Sequence, residues 1–237
     1  MDRNGRKRSM KNVFLVFAAA AFLCVTGVSG AFADSLQLMS GGPASYGSTS
    51  VGPYQVSVNG GPSSSMICDD YSTEINVGLQ WTATAYTFGQ LSSMQFAGNS
   101  SFGNGVTSAG QAYEEVFYLS AQMMLQPQNS GNANLAAIHY ALWQILDPGA
   151  NLSIAGSGSN SPDSTAYWLN QATQNYASVN TSNFTVYTAS ANPNTGVLTP
   201  SQEFIQVTGA AVPVPPSLLL LGTGLLGVVG LRKRPRK

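Results

Sequence analysis

The chain has 237 residues, of which 43% are hydrophobic and only 8% charged. Its ten Lys and Arg all lie before residue 12 or after residue 231, whereas nine of its ten acids fall between Asp34 and Ala211, so a formally neutral chain carries a body of charge −9. Such a body repels phosphate backbones and anionic lipid surfaces, which excludes nucleic acid as a partner.

The first residues supply Arg3, Arg6, Lys7, Arg8 and Lys11, then an apolar run from Val13 to Val25, then small residues ending in Ala31-Phe32-Ala33. Basic, apolar and small-residue segments in that order form a secretory signal peptide over 1–33, with Ala31 and Ala33 placing the cut before Asp34. Cys24 follows the bulky Leu23, where a lipoprotein signal needs a small residue.

The body, 34–211, is the size of one domain or two small ones and has no fixed-period repeat. Alternation predicts strands over Pro53 to Asn59, with Tyr54, Val56 and Val58 on one face, and over Ser64 to Cys68 and Gln80 to Phe88. Helical spacing then appears over Gln111 to Leu125, with Glu114 and Glu115 expected in the first turn, where the helix dipole favours anions. A second helix is expected over Leu135 to Leu146, stopping at Asp147-Pro148-Gly149. A third is expected to start with Ser161 as N-cap and Pro162 at the first helical position. Strands return over Asn183 to Ala189 and Gln202 to Val207, with a turn at Asn192-Pro-Asn-Thr-Gly196 between them. The fold class is α+β, mainly an antiparallel β-sandwich or barrel with about three helices.

The chain closes with Val212-Pro213-Val214-Pro215-Pro216-Ser217, an uncharged run from Leu218 to Leu231, and the basic end Arg232 to Lys237. As a helix the run is about 21 Å long at ~1.5 Å per residue, short of the ~30 Å hydrocarbon core of a bilayer. Both basic tips stay cytoplasmic by the positive-inside rule while the middle is translocated.

This Pro-rich hexapeptide, Leu/Gly helix and Arg/Lys terminus resemble the PEP-CTERM tail of Gram-negative bacteria. The resemblance implies recognition by exosortase, a membrane transpeptidase-like enzyme, transient inner-membrane insertion of the tail, and release or attachment at the surface. It also implies a link to the biofilm matrix. Val214 stands where the usual Val-Pro-Glu-Pro-Ser motif has Glu, which leaves the scissile bond open.

With the signal removed, Cys68 is the one cysteine and His139 the one histidine. A lone thiol in an oxidising envelope is either inert and buried or reactive. Met66-Ile-Cys-Asp-Asp-Tyr71, Tyr113-Glu-Glu-Val-Phe-Tyr-Leu119 and Ala137-Ile-His-Tyr-Ala-Leu-Trp143 resemble the pattern of bacterial thioester domains. There a strand Cys joins a helical Gln in an internal thioester that captures amines. The Gln position falls here on His139, which has no acyl carbon, and Gln144 and Gln122 are the other donors at hand. The same register makes Cys68 and His139 spatial neighbours, so the enzymatic alternative is a Cys-His hydrolase with these two as catalytic candidates. Asp69 and Asp70 beside the thiol oppose its ionisation.

Asp69, Asp70 and Glu74 are metal candidates through their hard oxygen ligands, without EF-hand spacing. Tyr113, Phe117, Tyr118, Tyr140, Trp143, Tyr167 and Trp168 either pack the core or line a glycan groove. With no Lys in the body, Lys-based catalysis and Lys-Asn isopeptide cross-links are chemically impossible. The reading is a cofactor-free exported surface or matrix protein, structural or adhesive, with exosortase and the export machinery as partners and a surface glycan or protein as ligand. The hydrolase and a thioester adhesin with a non-standard acyl donor are the alternatives.

Overall fold

The computed structural model describes residues 33–190 and 202–209. The signal segment, the turn at 192–196, and the tail with Val212 to Ser217 and the apolar run after it lie outside the described residues.

Six antiparallel strands close into a barrel in the order β1 (Ala33–Ser40), β4 (Tyr54–Val58), β5 (Ser63–Cys68), β8 (Phe204–Val207), β7 (Phe184–Ala189) and β6 (Gln80–Tyr86). Between β1 and β4 a small hairpin pairs β2 (Ala44–Tyr46) with β3 (Thr49–Val51). Of the two expected architectures the barrel is the one formed. Closure gives every strand two partners and leaves no sheet edge.

Register assigns the two faces of the wall, because antiparallel partners point to the same side. Leu36, Leu38, Tyr54, Val56, Met66, Cys68, Trp81 and Phe204 share one face. Ring contacts of Phe204 with Tyr54 at 5.8 Å and with Trp81 at 5.6 Å mark it as the interior. On the outer face, β5, β7 and β8 present Ile67, Phe184, Val186 and Ile205, all buried. Around β1 and β6 the same face presents Ser35, Gln37, Thr82 and Thr84. The apolar half of the wall therefore has to be covered.

Three α-helices cover it: α1 (Ala109–Leu125), α2 (Ala133–Leu146) and α3 (Thr165–Asn175). Phe117 of α1 stacks on Phe184 of β7, with centroids 4.5 Å apart and planes 6° from parallel. Helix α2 buries eleven of its residues, from Leu135 to Leu146, and is an interior helix. Amphipathic α3 buries Thr165, Trp168 and Ala172.

Two expectations are corrected at helix starts. Helix α1 begins with Ser108 as N-cap, its hydroxyl accepting from the Gln111 amide, so Glu114 and Glu115 fall in the second turn. Glu115 is buried and held by the side chains of Asn104 and Gln111, each at 2.9 Å. The N-cap of α3 is Ser164 instead of Ser161, because Ser161 and Pro162 form a preceding turn. The carbonyl of Pro162 accepts from the Trp168 indole at 2.6 Å. Strand β1 was not anticipated; its only apolar alternation is Leu36 and Leu38. Ala33, the last residue of the expected signal, is its first residue and pairs with Thr84.

The barrel has two chemically different ends. Strands β1, β5 and β7 run one way and β4, β6 and β8 the other. At one end β1 starts, β4 turns into β5, and β8 finishes. There Asn59 donates its amide to the Ser35 carbonyl (2.7 Å) and its side chain to Asp34 (2.7 Å), while the Thr208 amide donates to the Asn183 carbonyl (2.8 Å). The opposite end carries the β2–β3 hairpin, the 69–79 loop and the start of β8. Among the described residues no helix is long and apolar enough to cross a membrane.

Candidate functional site

The sequence candidates meet at the loop end, where β5 runs out at Cys68. His139, on the inner face of α2, reaches this point with both ring nitrogens engaged. Nδ1 accepts from the Gly52 amide at 3.0 Å, and Nε2 lies 2.7 Å from the Cys68 carbonyl. A backbone amide only donates, so Nδ1 is unprotonated and Nε2 carries the hydrogen. His139 is thus a neutral imidazole, and burial lowers its pKa to about 4. Trp143, one turn on, stacks on His139 at 3.8 Å and donates its indole N–H to the same Cys68 carbonyl at 3.1 Å. Gly52 allows this approach because its φ of +97° suits a residue without Cβ, and a Cβ there would lie 2.9 Å from Pro43.

The Cys68 thiol makes no hydrogen bond to the imidazole. It is fully buried and donates to the Asp70 carbonyl at 3.1 Å. Burial, then the charges of Asp69 and Asp70, push it well above the ordinary thiol range, so it stays protonated. His139 and Cys68 adjoin through a backbone carbonyl, with the imidazole turned to that oxygen.

The three acids separate. Asp70 is buried and spent on local structure: Oδ1 accepts from the Ser72 amide, the Ser72 hydroxyl and the Thr73 amide, and Oδ2 from the Gln95 side chain at 2.8 Å. Glu74 is exposed and has no hydrogen-bond partner among the described residues. Asp69 turns to the other side, against Glu203, and both are buried. Glu203 accepts from the Tyr113 hydroxyl at 2.6 Å, the Gln95 amide at 2.8 Å and the Thr188 hydroxyl. Two adjacent buried carboxyls cannot both ionise at ordinary cost, so the charge on one disfavours the charge on the other. Burial is the main cause that raises both, and the Glu203 charge raises Asp69 further. Among the described residues no three His, Cys, Asp or Glu side chains come together in a group that would hold a metal ion.

Above this floor lies a cleft of about 580 Å³. Its walls come from the β2–β3 hairpin (Ser48, Thr49, Ser50), the start of β4 (Tyr54), the 70–76 loop, Trp143 of α2, and Gln202 just before β8. Tyr54 fixes one wall by donating to the Ser50 carbonyl at 2.7 Å. Tyr71 packs on Trp143 at 5.2 Å. Gln202 donates to the Asp70 carbonyl at 3.0 Å, the acceptor also used by the Cys68 thiol, and to the Thr73 carbonyl.

Of the aromatics singled out in sequence, Tyr113 and Phe117 are core, and Trp143 alone lines the cleft. Gln144 is directed elsewhere, accepting from the Leu152 amide at 2.8 Å. Sequence reasoning missed Gln202, Glu203 and Tyr54 as site residues. The adjacent Gln202 and Glu203 at the mouth of an apolar strand were the available signal.

Residues 211–234 match the PEP-CTERM protein-sorting motif. The protein is exported and sorted by exosortase. The match covers the hexapeptide and most of the segment after it, as the resemblance implied, and gives export and surface sorting in a Gram-negative bacterium. No curated protein and no solved structure matches the chain.

Proposed function

We propose that the exported barrel is a non-catalytic structural or adhesive module that presents its loop-end cleft outward from the cell. The carrying observation is the polarity of the barrel: β8, from which the chain runs on toward the sorting tail, finishes at the end opposite the cleft. A domain tethered or processed through that tail has its cleft pointing away from the point of attachment. The non-catalytic part of the reading is supported by the protonated, buried Cys68 and by the two backbone partners of His139, which leave the imidazole no free nitrogen for a thiol or a substrate.

The tail inserts transiently in the inner membrane, exosortase cuts near Val212 to Ser217, and the processed domain reaches the surface or matrix. Cell fractionation and adhesion assays test this together. Filling the cleft by Ser72→Trp should abolish adhesion at unchanged surface level, and unaltered adhesion overturns the reading. Iodoacetamide should leave Cys68 unlabelled in the native protein; rapid labelling that disappears in His139→Ala restores the hydrolase alternative.

A second reading has an observation of its own in Gln202, the carboxamide that shares an acceptor with the Cys68 thiol. Attack of the sulfur on the Gln202 side-chain carbonyl carbon breaks the C–N bond and forms a C–S bond, and the thiol proton leaves with the nitrogen as ammonia. An intact mass one ammonia below that of the processed chain, restored in Gln202→Ala, would establish it.

A further inference from the structure

We propose that the cleft binds a primary ammonium group, carried by an amino sugar or by a lysine side chain. The proposal deepens the recognition reading above and rests on it.

Charge narrows the ligand first. Residues 34–211 contain no Lys or Arg, so no internal cation neutralises the acids. The cleft is lined by Asp70 and Glu74, and its lining holds no basic side chain. An anionic ligand would be repelled by both acids. Asp70 is immobilised by its four hydrogen bonds and contributes a fixed field, whereas the exposed Glu74, without a hydrogen-bond partner among the described residues, is a direct acceptor at the rim.

The apolar wall agrees with a cation. Tyr71, half-buried and packed on Trp143 at 5.2 Å, is the ring that borders the cleft beside the acids. The remaining lining is hydroxyl-rich, with Ser48, Ser50 and Ser72 as acceptors for a three-donor head. On the floor, Gln202 is 8% exposed and its Oε1 receives no hydrogen bond from the described residues, so a donor-bearing ligand answers an unmet acceptor. A cleft of this size admits one sugar ring or one lysine side chain.

The test titrates the purified exported protein by calorimetry with a glucosamine oligomer, the same oligomer fully N-acetylated, and a lysine oligomer. At least one ammonium probe should bind, weakening as salt rises. Acetylation should abolish binding by the sugar, and the better of the two ammonium probes assigns the carrier. Glu74→Gln, a substitution at an exposed residue, should weaken binding by about threefold to tenfold, the loss of one rim charge contact. Tyr71→Ala should weaken it as well. Equal binding of the acetylated oligomer, no binding by either ammonium probe, or an unaltered affinity in Glu74→Gln overturns the proposal. If adhesion is lost in Ser72→Trp while no ammonium probe binds, the ligand class fails and the recognition reading stands; adhesion unaltered in that variant removes the recognition reading itself.

Discussion

The two ends of the barrel are built from the same six strands but differ in how they are held. At the end where β1 starts and β8 finishes, the short β4–β5 turn is held to β1 by exposed polar contacts of Asn59 with Asp34 and Ser35. At the loop end the contacts are buried and span distant parts of the sequence. His139 joins Gly52 to Cys68, and Glu203 joins α1, β7 and the segment at Gln95. Buried polar networks are costly when broken because a group left behind has no water to turn to. The cleft end is thus the one whose shape depends most on buried contacts, whereas the opposite end is held by exposed ones.

Breaking the buried clip should have the largest effect. His139→Ala orphans the Gly52 amide, removes one of two donors to the Cys68 carbonyl and opens a cavity, and should cost about 3–5 kcal/mol in urea unfolding. A loss under about 1 kcal/mol would mean that the hairpin and β5 are held by something else.

The acid pair sharpens the comparison through pH. Carboxyls whose folded pKa is raised contribute stability that is full below the ordinary carboxylate range and is lost as pH rises through the folded value. His139 works in the opposite sense: with its pKa lowered to about 4, its contribution is intact above the ordinary imidazole range and is lost as pH falls toward that value. Between about pH 4 and the ordinary imidazole range the two contributions change in opposite senses and offset one another, so a net loss of stability should appear on the alkaline side, where only the acid pair still changes. Asp69→Asn replaces one of the two buried carboxyls by a neutral group of the same shape, so it should add about 1–3 kcal/mol on the alkaline side. Denaturant midpoints across pH check this, and an unaltered alkaline limb would show that the pair carries no proton linkage.

Tyr113→Phe removes a hydroxyl that donates to Glu203 and accepts from the Phe96 amide, and should cost about 1–2 kcal/mol by thermal unfolding. The smallest effect belongs to the end where β8 finishes. Asn59→Ala loses two exposed side-chain bonds and places Ala at a φ of 53°, and should cost about 1 kcal/mol, most of it recovered in Asn59→Gly. A larger loss at Asn59 than at Tyr113 would erase the difference between the ends.

Much of the fold was legible along the chain because it is written in local periodicity. The alternation in Tyr54, Val56 and Val58 marked β4, and the spacing of Leu135, Ile138, Leu142 and Ile145 marked α2. Local signals failed where competing short elements satisfied the same rule. Ser161-Pro162 reads as well for a helix start as Ser164 does, and the choice went to Ser164 because the Trp168 indole holds Pro162 in a turn. At the site, Cys68 and His139 stood out as unique residues, but rarity carries no information about which atoms face each other.

The sequence by itself determined the electrostatics and the route. Charge is a property of composition, so the acidic body, the basic tips and the PEP-CTERM tail follow from reading residues in order. Tertiary structure alone decided that the imidazole binds a carbonyl instead of the thiol, that Gln202 meets the carbonyl used by Cys68, and that the cleft opens opposite the end toward the tail. Those outcomes depend on barrel closure and strand direction, which bring together residues as far apart as Asp70 and Gln202. Such pairings are set by the burial of the whole wall and have no trace in any short window of sequence.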